Sequence, residues 1–194
     1  MNTTDITIRP ATSGEGVQIA ELILLAWPVE DFLAKDPSLT YEGLRDMIAQ
    51  AVEAPATIYS HENTFVGLVE GKIVGALCGY DGADYQRLKA PILDIIGHDS
   101  DFASLTETEA GEFYLDSVGV DPGFRGRGIA SRLVAAQISR AKEGGHERVG
   151  LIVDIDKPEA EALYRRLGFV HKGYRMFFSH RMKHMVLDIR HTNP

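Results

Sequence analysis

Apolar and polar positions along the chain follow two spacings, one of two residues and one of three to four, which are typical of strands and helices respectively. Residues 5–11 alternate and predict a first strand that ends at Pro10. Helical spacing predicts helices over residues 15–27 and 40–52, the second with Thr40 as its N-cap. The N-terminal part of the chain is therefore expected to run strand, helix, helix.

The rest of the chain alternates between the same two spacings. Residues 64–80 predict a hairpin that turns at Glu70-Gly71. Residues 81–111 are more polar, contain one apolar patch, and predict an insertion with a short helix. The remaining pattern predicts a strand over 111–120, a helix over 127–143, a strand over 148–154, a helix over 158–169 and a closing hairpin over 169–189. This alternation predicts one α/β domain over residues 1–194.

Composition narrows the class of protein. The chain has 194 residues, 44% of them hydrophobic, which is enough for one domain with a sizeable core. Its net charge of −8 argues against a nucleic-acid partner. No apolar run reaches the length of a membrane span, and the N-terminus lacks the pattern of a signal peptide. The only cysteine, Cys78, excludes an internal disulfide and is interpreted as a small buried residue. We therefore expect a cytoplasmic protein.

A glycine- and arginine-rich turn stands out in this acidic chain. The stretch "VDPGFRGRGIASRLV", residues 120–134, places it between a predicted strand and a predicted helix. The first amides of a helix lack internal partners, and the helix dipole adds partial positive charge there. Glycines let a backbone approach a ligand closely, and arginines add charged donors. The pattern favours a phosphate or pyrophosphate ligand, although a charged loop that merely caps the helix is the alternative. It lacks the Gly-Lys-Ser/Thr end of a P-loop.

The same residues resemble the acetyl-CoA loop of the GCN5-related N-acetyltransferase (GNAT) family, whose pattern is Arg/Gln-x-x-Gly-x-Gly/Ala. The match falls on Arg125, Gly128 and Ala130. A second family signature, Asn-x-x-Ala-x-x-Leu-Tyr followed by Gly-Phe, resembles "KPEAEALYRRLGF". Its matching residues are Ala160, Leu163, Tyr164, Gly168 and Phe169. The strong resemblance covers residues 112–175 and has both motifs in the family's order.

This resemblance implies a single-domain GNAT fold: a mixed, mostly antiparallel sheet of about seven strands, splayed between its fourth and fifth strands and flanked by helices. It implies that the pantetheine of acetyl-CoA pairs with the backbone of Val118 and Val120, on either side of Gly119. The pyrophosphate would rest on the amides of Arg125, Gly126, Arg127, Gly128, Ile129, Ala130 and Ser131. The family's usual asparagine at the start of the late helix is Lys157 here, a longer and charged donor.

Acetyl transfer needs a deprotonated amine and a proton for the leaving thiolate. The resemblance implies that Tyr164 is the acid, since a phenol with a pKa of about 10 can protonate a thiolate whose pKa is about 8.5. Tyr164 also lies on the apolar stripe of its predicted helix, so a core tyrosine is the alternative.

Asp116 is the candidate base, which deprotonates the amine or holds it as an ammonium. Strand alternation predicts that Glu112, Tyr114, Asp116 and Val118 share one face of the sheet. A carboxylate in a central strand is costly to bury unless it has a partner. The alternative is that Asp116 only pairs with a nearby arginine. The resemblance also implies that the backbone of Val118 polarises the thioester carbonyl.

The implied function is N-acetylation with acetyl-CoA as co-substrate, and we expect a small-molecule primary amine as acceptor. Two alternatives stay open: a protein N-terminal or lysine acetyltransferase, and a non-catalytic module that senses coenzyme A. Trp27, Asp31 and Phe32 could line the acceptor pocket or serve ordinary packing. We expect no metal, because His180 and His184 fall on a predicted turn and strand rather than on a helix. The sequence leaves a homodimer open.

Overall fold

A central sheet is the main structural element of the protein. The structure, a computed structural model, describes residues 5–96, 105–178 and 180–190. In these residues the sheet has seven strands, β1 (Ile6–Pro10), β2 (Thr64–Val69), β3 (Lys72–Asp81), β4 (Phe113–Val120), β5 (Arg148–Asp154), β6 (Val170–Phe177) and β7 (His180–Asp188). Their order across the sheet is β1-β2-β3-β4-β5-β7-β6. The α-helices of the same residues are α1 (Gly16–Leu24), α2 (Val29–Lys35), α3 (Tyr41–Glu53), α4 (Tyr85–Ile96), α5 (Ile129–Glu143) and α6 (Pro158–Arg166).

The strands β4 and β5 form the parallel pair of the sheet, whereas the other neighbours are antiparallel. Their ladder contains only two residue pairs, Phe113 with Val149 and Tyr114 with Gly150. Beyond these pairs β4 continues to Val120 without β5 as a partner. The two strands therefore diverge and leave an open gap, which confirms the predicted splay.

Apolar side chains cover both faces of the sheet. One face packs against α1, α3 and α4, and the other against α5 and α6. The fully buried residues include Ile19, Ile48 and Ile92 on the first face, and Leu133 and Val149 on the second. Because each face is sealed by its own helices, the gap between β4 and β5 lies between two packed layers. None of the helices in the described parts of the chain has the length and apolar character of a membrane span.

A β-bulge in β4 changes which side chains share a face. Leu77 pairs with Val118 and Gly79 with Leu115, so Asp116 and Ser117 together stand opposite a single residue of β3. Tyr114 and Asp116 face the α1, α3 and α4 layer, whereas Val118 packs with the layer under α5. The prediction that Val118 shares a face with Asp116 was therefore wrong, because the bulge breaks the alternation between them.

Most predicted helices are present, with shifted ends. The Oγ of Thr40 accepts a hydrogen bond from the amide of Gly43 at 3.0 Å, so the predicted N-cap of α3 is confirmed. Within the predicted insertion the structure has α4, and residues 97–104 lie outside the described residues. Helix α2 was not predicted; it has only seven residues, and none of them is buried.

Gly119 marks the closest approach between β4 and α1. A Cβ atom at this position would lie 1.8 Å from the carbonyl oxygen of Leu22, near the end of α1. Since that oxygen belongs to the backbone, a side chain here must move the whole helix. Gly119 is thus required for the packing of α1 on the sheet, whatever else its backbone does.

We expect Gly119→Ala to lower the free energy of unfolding by about 2 kcal/mol or more, a typical cost of overpacking. For a chain of this size, that loss corresponds to a drop of roughly 4–8 °C in melting temperature. The matched control is Gly173→Ala in β6, where nothing lies within 4 Å of the added Cβ. Equal melting temperatures for the two variants would contradict the close approach.

Candidate active site

The glycine–arginine turn follows the end of β4, at the open end of the gap. A 3-10 turn over Pro122–Phe124 precedes it. Gly126 and Gly128 have φ angles of +76° and +80°, a left-handed backbone that favours glycine. Gly128 is the N-cap residue of α5, and no side chain caps this helix end. The first amides of α5 are therefore available to an anion.

The turn carries two arginines, and a lysine of β3 reaches it while also pairing with Asp121 at 3.3 Å. Arg125 and Arg127 are both exposed; the Nε of Arg125 donates to the carbonyl of Val120 at 3.2 Å. The guanidinium of Arg127 lies 5.0 Å from the centre of the Phe124 ring, and the ammonium of Lys72 lies 5.4 Å from the same ring. Neither the first turn of α5 nor its N-cap contains an acidic residue. This arrangement can bind a phosphate or pyrophosphate. Sequence reasoning missed Lys72, which comes from the hairpin strand β3.

Tyr164 lies on α6, in the layer that covers the α5 side of the gap. Its ring packs edge-on against Phe169, with the ring centres 5.8 Å apart, and the residue is 7% exposed. Burial raises the pKa of Tyr164 to about 12. Its hydroxyl forms no hydrogen bond with the described part of the chain, so its proton is free for another acceptor. At the N-terminus of the same helix, the ammonium of Lys157 donates to the carbonyl of Ala26 at 3.4 Å.

Asp116 lies in the bulge of β4 and is held by neutral donors. The hydroxyl of Tyr80 donates to its Oδ2 at 2.6 Å, and the hydroxyl of Ser117 to its Oδ1 at 2.8 Å. Burial raises the pKa of Asp116, and the two hydrogen bonds partly oppose that rise. Within the described residues Asp116 forms no ion pair, so the predicted alternative of an arginine partner was wrong. The register that brings Tyr80 opposite β4 was not available from the sequence.

A second buried carboxyl, Glu107, lies on the same side of the sheet. It is 6% exposed and accepts a hydrogen bond from the hydroxyl of Tyr114 at 2.7 Å. Burial and the nearby charge of Asp116 raise the pKa of Glu107 to about 8. The rings of Tyr80 and Tyr114 are 5.9 Å apart, which connects the two carboxyls through paired tyrosines. Glu107 was missed because it lies in the polar segment that was interpreted as an insertion.

The predicted acceptor-side residues Trp27 and Phe32 belong to one aromatic cluster. Their ring centres are 5.1 Å apart, and Trp27 also lies 5.7 Å from Tyr59. Phe32 meets Phe178, in the turn between β6 and β7, at 5.0 Å. Next to this cluster, Asp31 faces His180 at the start of β7. The structure therefore brings Trp27, Phe32 and Asp31 together, and it adds the β6–β7 turn, which the sequence had not indicated.

Glu109, Glu112 and His184 form a further titratable group, and their ligand atoms lie within 4.8 Å of one another. The Nε2 of His184 and the Oε2 of Glu112 are already 2.9 Å apart, and the guanidinium of Arg175 is bonded to Glu109. A Cβ on Gly150 would lie 2.2 Å from the Glu112 carboxylate, so only glycine at this position of β5 leaves room for the Glu112 side chain. Arg175 thus already supplies a cation to this group through Glu109.

The fold and the anion site together define a class of protein. A model of the acetyltransferase (GNAT) family matches residues 21–169. The chain therefore belongs to the GNAT family, as the resemblance of its two motifs predicted. A crystal structure described as an acetyltransferase superposes with a TM-score of 0.78 and 29% identity, and the match covers 95% of this chain and 100% of that one.

Two curated relatives share shorter stretches with the chain. N-alpha-acetyltransferase RimI of Mycobacterium tuberculosis is 33% identical over 116 residues, which cover 60% of this chain and 58% of that protein. The mycothiol acetyltransferase of Clavibacter sepedonicus is 40% identical over 63 residues, which cover 32% of this chain and 21% of that protein. The match thus spans less than two thirds of either relative, and the two relatives have different names.

Proposed function

We propose that this protein is an acetyl-CoA-dependent N-acetyltransferase that acetylates the primary amine of a small molecule by direct attack. The observation that carries the proposal is the unpaired edge of β4, which leads directly to the uncapped, arginine-flanked start of α5. A ligand with an extended amide-containing arm and a pyrophosphate fits this combination, because the arm can pair with strand backbone and the pyrophosphate with helix amides.

The proposed binding site of acetyl-CoA follows from that edge. The backbone of Val118, Gly119 and Val120 would pair with the pantetheine, and the pyrophosphate would rest on the amides from Arg125 to Ser131. Nothing lies within 4 Å of a Cβ placed on Gly126 or Gly128, so the space above the turn is open to a ligand. Lys157 would lie at the rim of the gap, where its ammonium reaches the segment after α1. Bound acetyl-CoA supplies the thioester whose acetyl group is transferred.

Asp116 would take the proton that the acceptor ammonium must lose before attack. A general base works best when its pKa lies near the working pH. Burial raises the pKa of Asp116 from its ordinary value, in the direction of physiological pH. The hydrogen bonds from Tyr80 and Ser117 orient both carboxylate oxygens. The free amine then forms the N–C bond, with the backbone at Val118 close to the carbonyl, and the C–S bond breaks.

Tyr164 would return a proton to the leaving thiolate sulfur. With a pKa of about 12, it stays protonated throughout the physiological range. Its hydroxyl makes no hydrogen bond within the described chain that would compete with this transfer. The ammonium loses two protons in all. Asp116 would accept the first before attack, and the second, lost by the nitrogen once the N–C bond has formed, would return to the Tyr164 phenolate through solvent. Asp116 would then release its proton to solvent, so that the net reaction frees one proton.

The acceptor class rests on the shape of the acceptor side. If the acceptor binds beside the gap, the aromatic cluster of Trp27, Phe32, Tyr59 and Phe178 would narrow its site, which favours a compact amine over a peptide. The relative RimI, named as an N-alpha-acetyltransferase, supports a protein N-terminus as the second candidate. Release of coenzyme A with a panel of small amines and N-terminal peptides would separate these acceptors. Binding of acetyl-CoA with no release for any acceptor would favour the coenzyme A sensor instead.

We expect acetyl-CoA to raise the melting temperature of the protein, because it binds the folded state alone. Arg125→Glu should reduce this shift by placing a negative charge against the pyrophosphate. Lys172→Glu, the same reversal of charge on the exposed face of β6, serves as the control and should keep the full shift. A wild-type protein that shows no shift at millimolar acetyl-CoA would exclude the proposed binding site.

Tyr164→Phe should lower turnover by roughly ten- to a thousandfold, in the range of general acid catalysis. Folding and the shift with acetyl-CoA should be retained, because the ring and its contact with Phe169 remain. Tyr174→Phe, at a half-exposed tyrosine of β6, is the matched control. If the chemical step limits the rate and the Tyr164 variant still shows normal turnover, Tyr164 has only a packing role in the core.

Asp116→Asn should lower kcat/KM for the amine by roughly a hundredfold or more. Stability should not fall at neutral pH, since the variant removes a buried charge that has no cationic partner. Because the folded-state pKa of Asp116 is raised, its ionisation costs stability as the pH rises above about 3.9. The melting temperature of the variant minus that of the wild type should therefore increase from pH 4 to pH 7. Asp156→Asn, in an exposed turn, is the control. Lost stability with intact kcat/KM would overturn the assignment.

A further inference from the structure

Helix α2 is weakly attached to the rest of the protein. None of its seven residues is buried, and it lies between α1 and the segment that leads to α3. On the acceptor side, Phe32 packs between Trp27 and Phe178, and Asp31 pairs with His180. Val29, at the start of the helix, is partly buried against the core. The position of α2 therefore depends on a few side chains rather than on a buried face.

His180 lies between two carboxylates that come from different elements. Its Nδ1 is 2.9 Å from Oδ2 of Asp154, at the end of β5, and its Nε2 is 3.3 Å from Oδ2 of Asp31 on α2. An ionised carboxylate only accepts hydrogen bonds, so both ring nitrogens must carry a proton to make both bonds. The geometry thus suits the imidazolium form, which alone can connect α2 to β5.

We propose that His180, as an imidazolium, is a latch that fastens α2 to the end of β5 and so closes the acceptor side of the active site. His180 is a positioning residue in this proposal, since it acts through α2. The link to the acceptor rests on the proposed function, which places Trp27, Asp31 and Phe32 beside the acceptor amine. The latch itself rests only on the contacts of His180.

The latch should depend on pH in a defined direction. Asp31 on α2 and Asp154 on β5 are the charged groups that face His180, and both raise its pKa. A histidine with a raised folded-state pKa contributes its full stabilisation below its unfolded pKa of about 6.5. That contribution is lost as the pH rises through the raised value. Helix α2 should therefore be fastened under mildly acidic conditions and released under alkaline conditions.

The test uses the single tryptophan of the chain, because Trp27 packs against Phe32 of α2. Its fluorescence and the hydrogen exchange of the α2 amides are recorded from pH 5 to pH 9 without acetyl-CoA or acceptor. In the wild type, the protection of the α2 amides relative to their intrinsic exchange rate at each pH should fall, and the Trp27 emission should change, as His180 deprotonates. In His180→Gln and Asp31→Asn both signals should already resemble the high-pH state at pH 5.

The control for these variants is His171→Gln in β6. A ring nitrogen of His171 hydrogen-bonds to the carbonyl of Gly173, and its ring packs edge-on against Tyr174. Within the described residues His171 has no carboxylate partner. It should leave both signals as in the wild type. Equal α2 exchange and Trp27 emission in the wild type and His180→Gln at pH 5 would overturn the latch.

The kinetic consequence is measured separately. His180→Gln should raise the KM for the amine by roughly two- to fivefold at pH 6, the scale of a partly exposed ion pair, while the binding of acetyl-CoA is kept. An unchanged KM would show that the latch does not affect acceptor binding and would contradict that part of the proposal. A pH-dependent α2 signal in a wild-type protein that acetylates no amine would support the latch and reject the proposed function, so the two failures are distinguishable.

Discussion

The early parting of β4 and β5 is the constraint on which the rest of the site depends. Two parallel strands normally complete each other's backbone hydrogen bonds, and here they do so for only two residue pairs. The remaining edge of β4 needs partners that the sheet does not supply. A ligand with amide groups can complete that edge, and the turn after β4 then delivers it to the start of α5. The same divergence thus creates both the gap between β4 and β5 and its positively charged end.

The bulge at Asp116 and Ser117 gives this edge its chemistry. Without it, Asp116 and Val118 would point to the same face and the carboxylate would share a layer with the apolar side chains under α5. With it, Asp116 turns toward Tyr80 while Val118 joins the apolar layer. Buried charge without a cation is costly, and two hydroxyl donors reduce that cost without neutralising the charge. A carboxylate held this way would stay a usable base, as the proposed role of Asp116 requires, whereas a salt bridge would lower its pKa.

The acceptor side is built from segments far apart in the chain. Trp27 and Phe32 follow α1, Tyr59 precedes β2, and Phe178 and His180 belong to the last hairpin. Tyr59 is buried in the core layer, whereas Trp27, Phe32 and Phe178 are only partly buried against it. The apolar layers therefore hold the strands on either side of the gap, whereas the proposed acceptor side is held by individual side-chain contacts.

The local chemistry of the chain could be predicted from its sequence, because it depends on neighbours a few residues apart. The glycines at 126 and 128, the arginines beside them, the Thr40 cap and the turn at Glu70-Gly71 are all short-range features, and each was predicted. The pairing register, the bulge in β4 and the short helix α2 were not, because they depend on contacts between distant segments. Only the folded chain decided that Asp116 would meet Tyr80 rather than an arginine, that Glu107 would join it, and that His180 would face Asp31. Side-chain spacing along a strand says which residues alternate, but the tertiary structure alone decides which residues from elsewhere they meet.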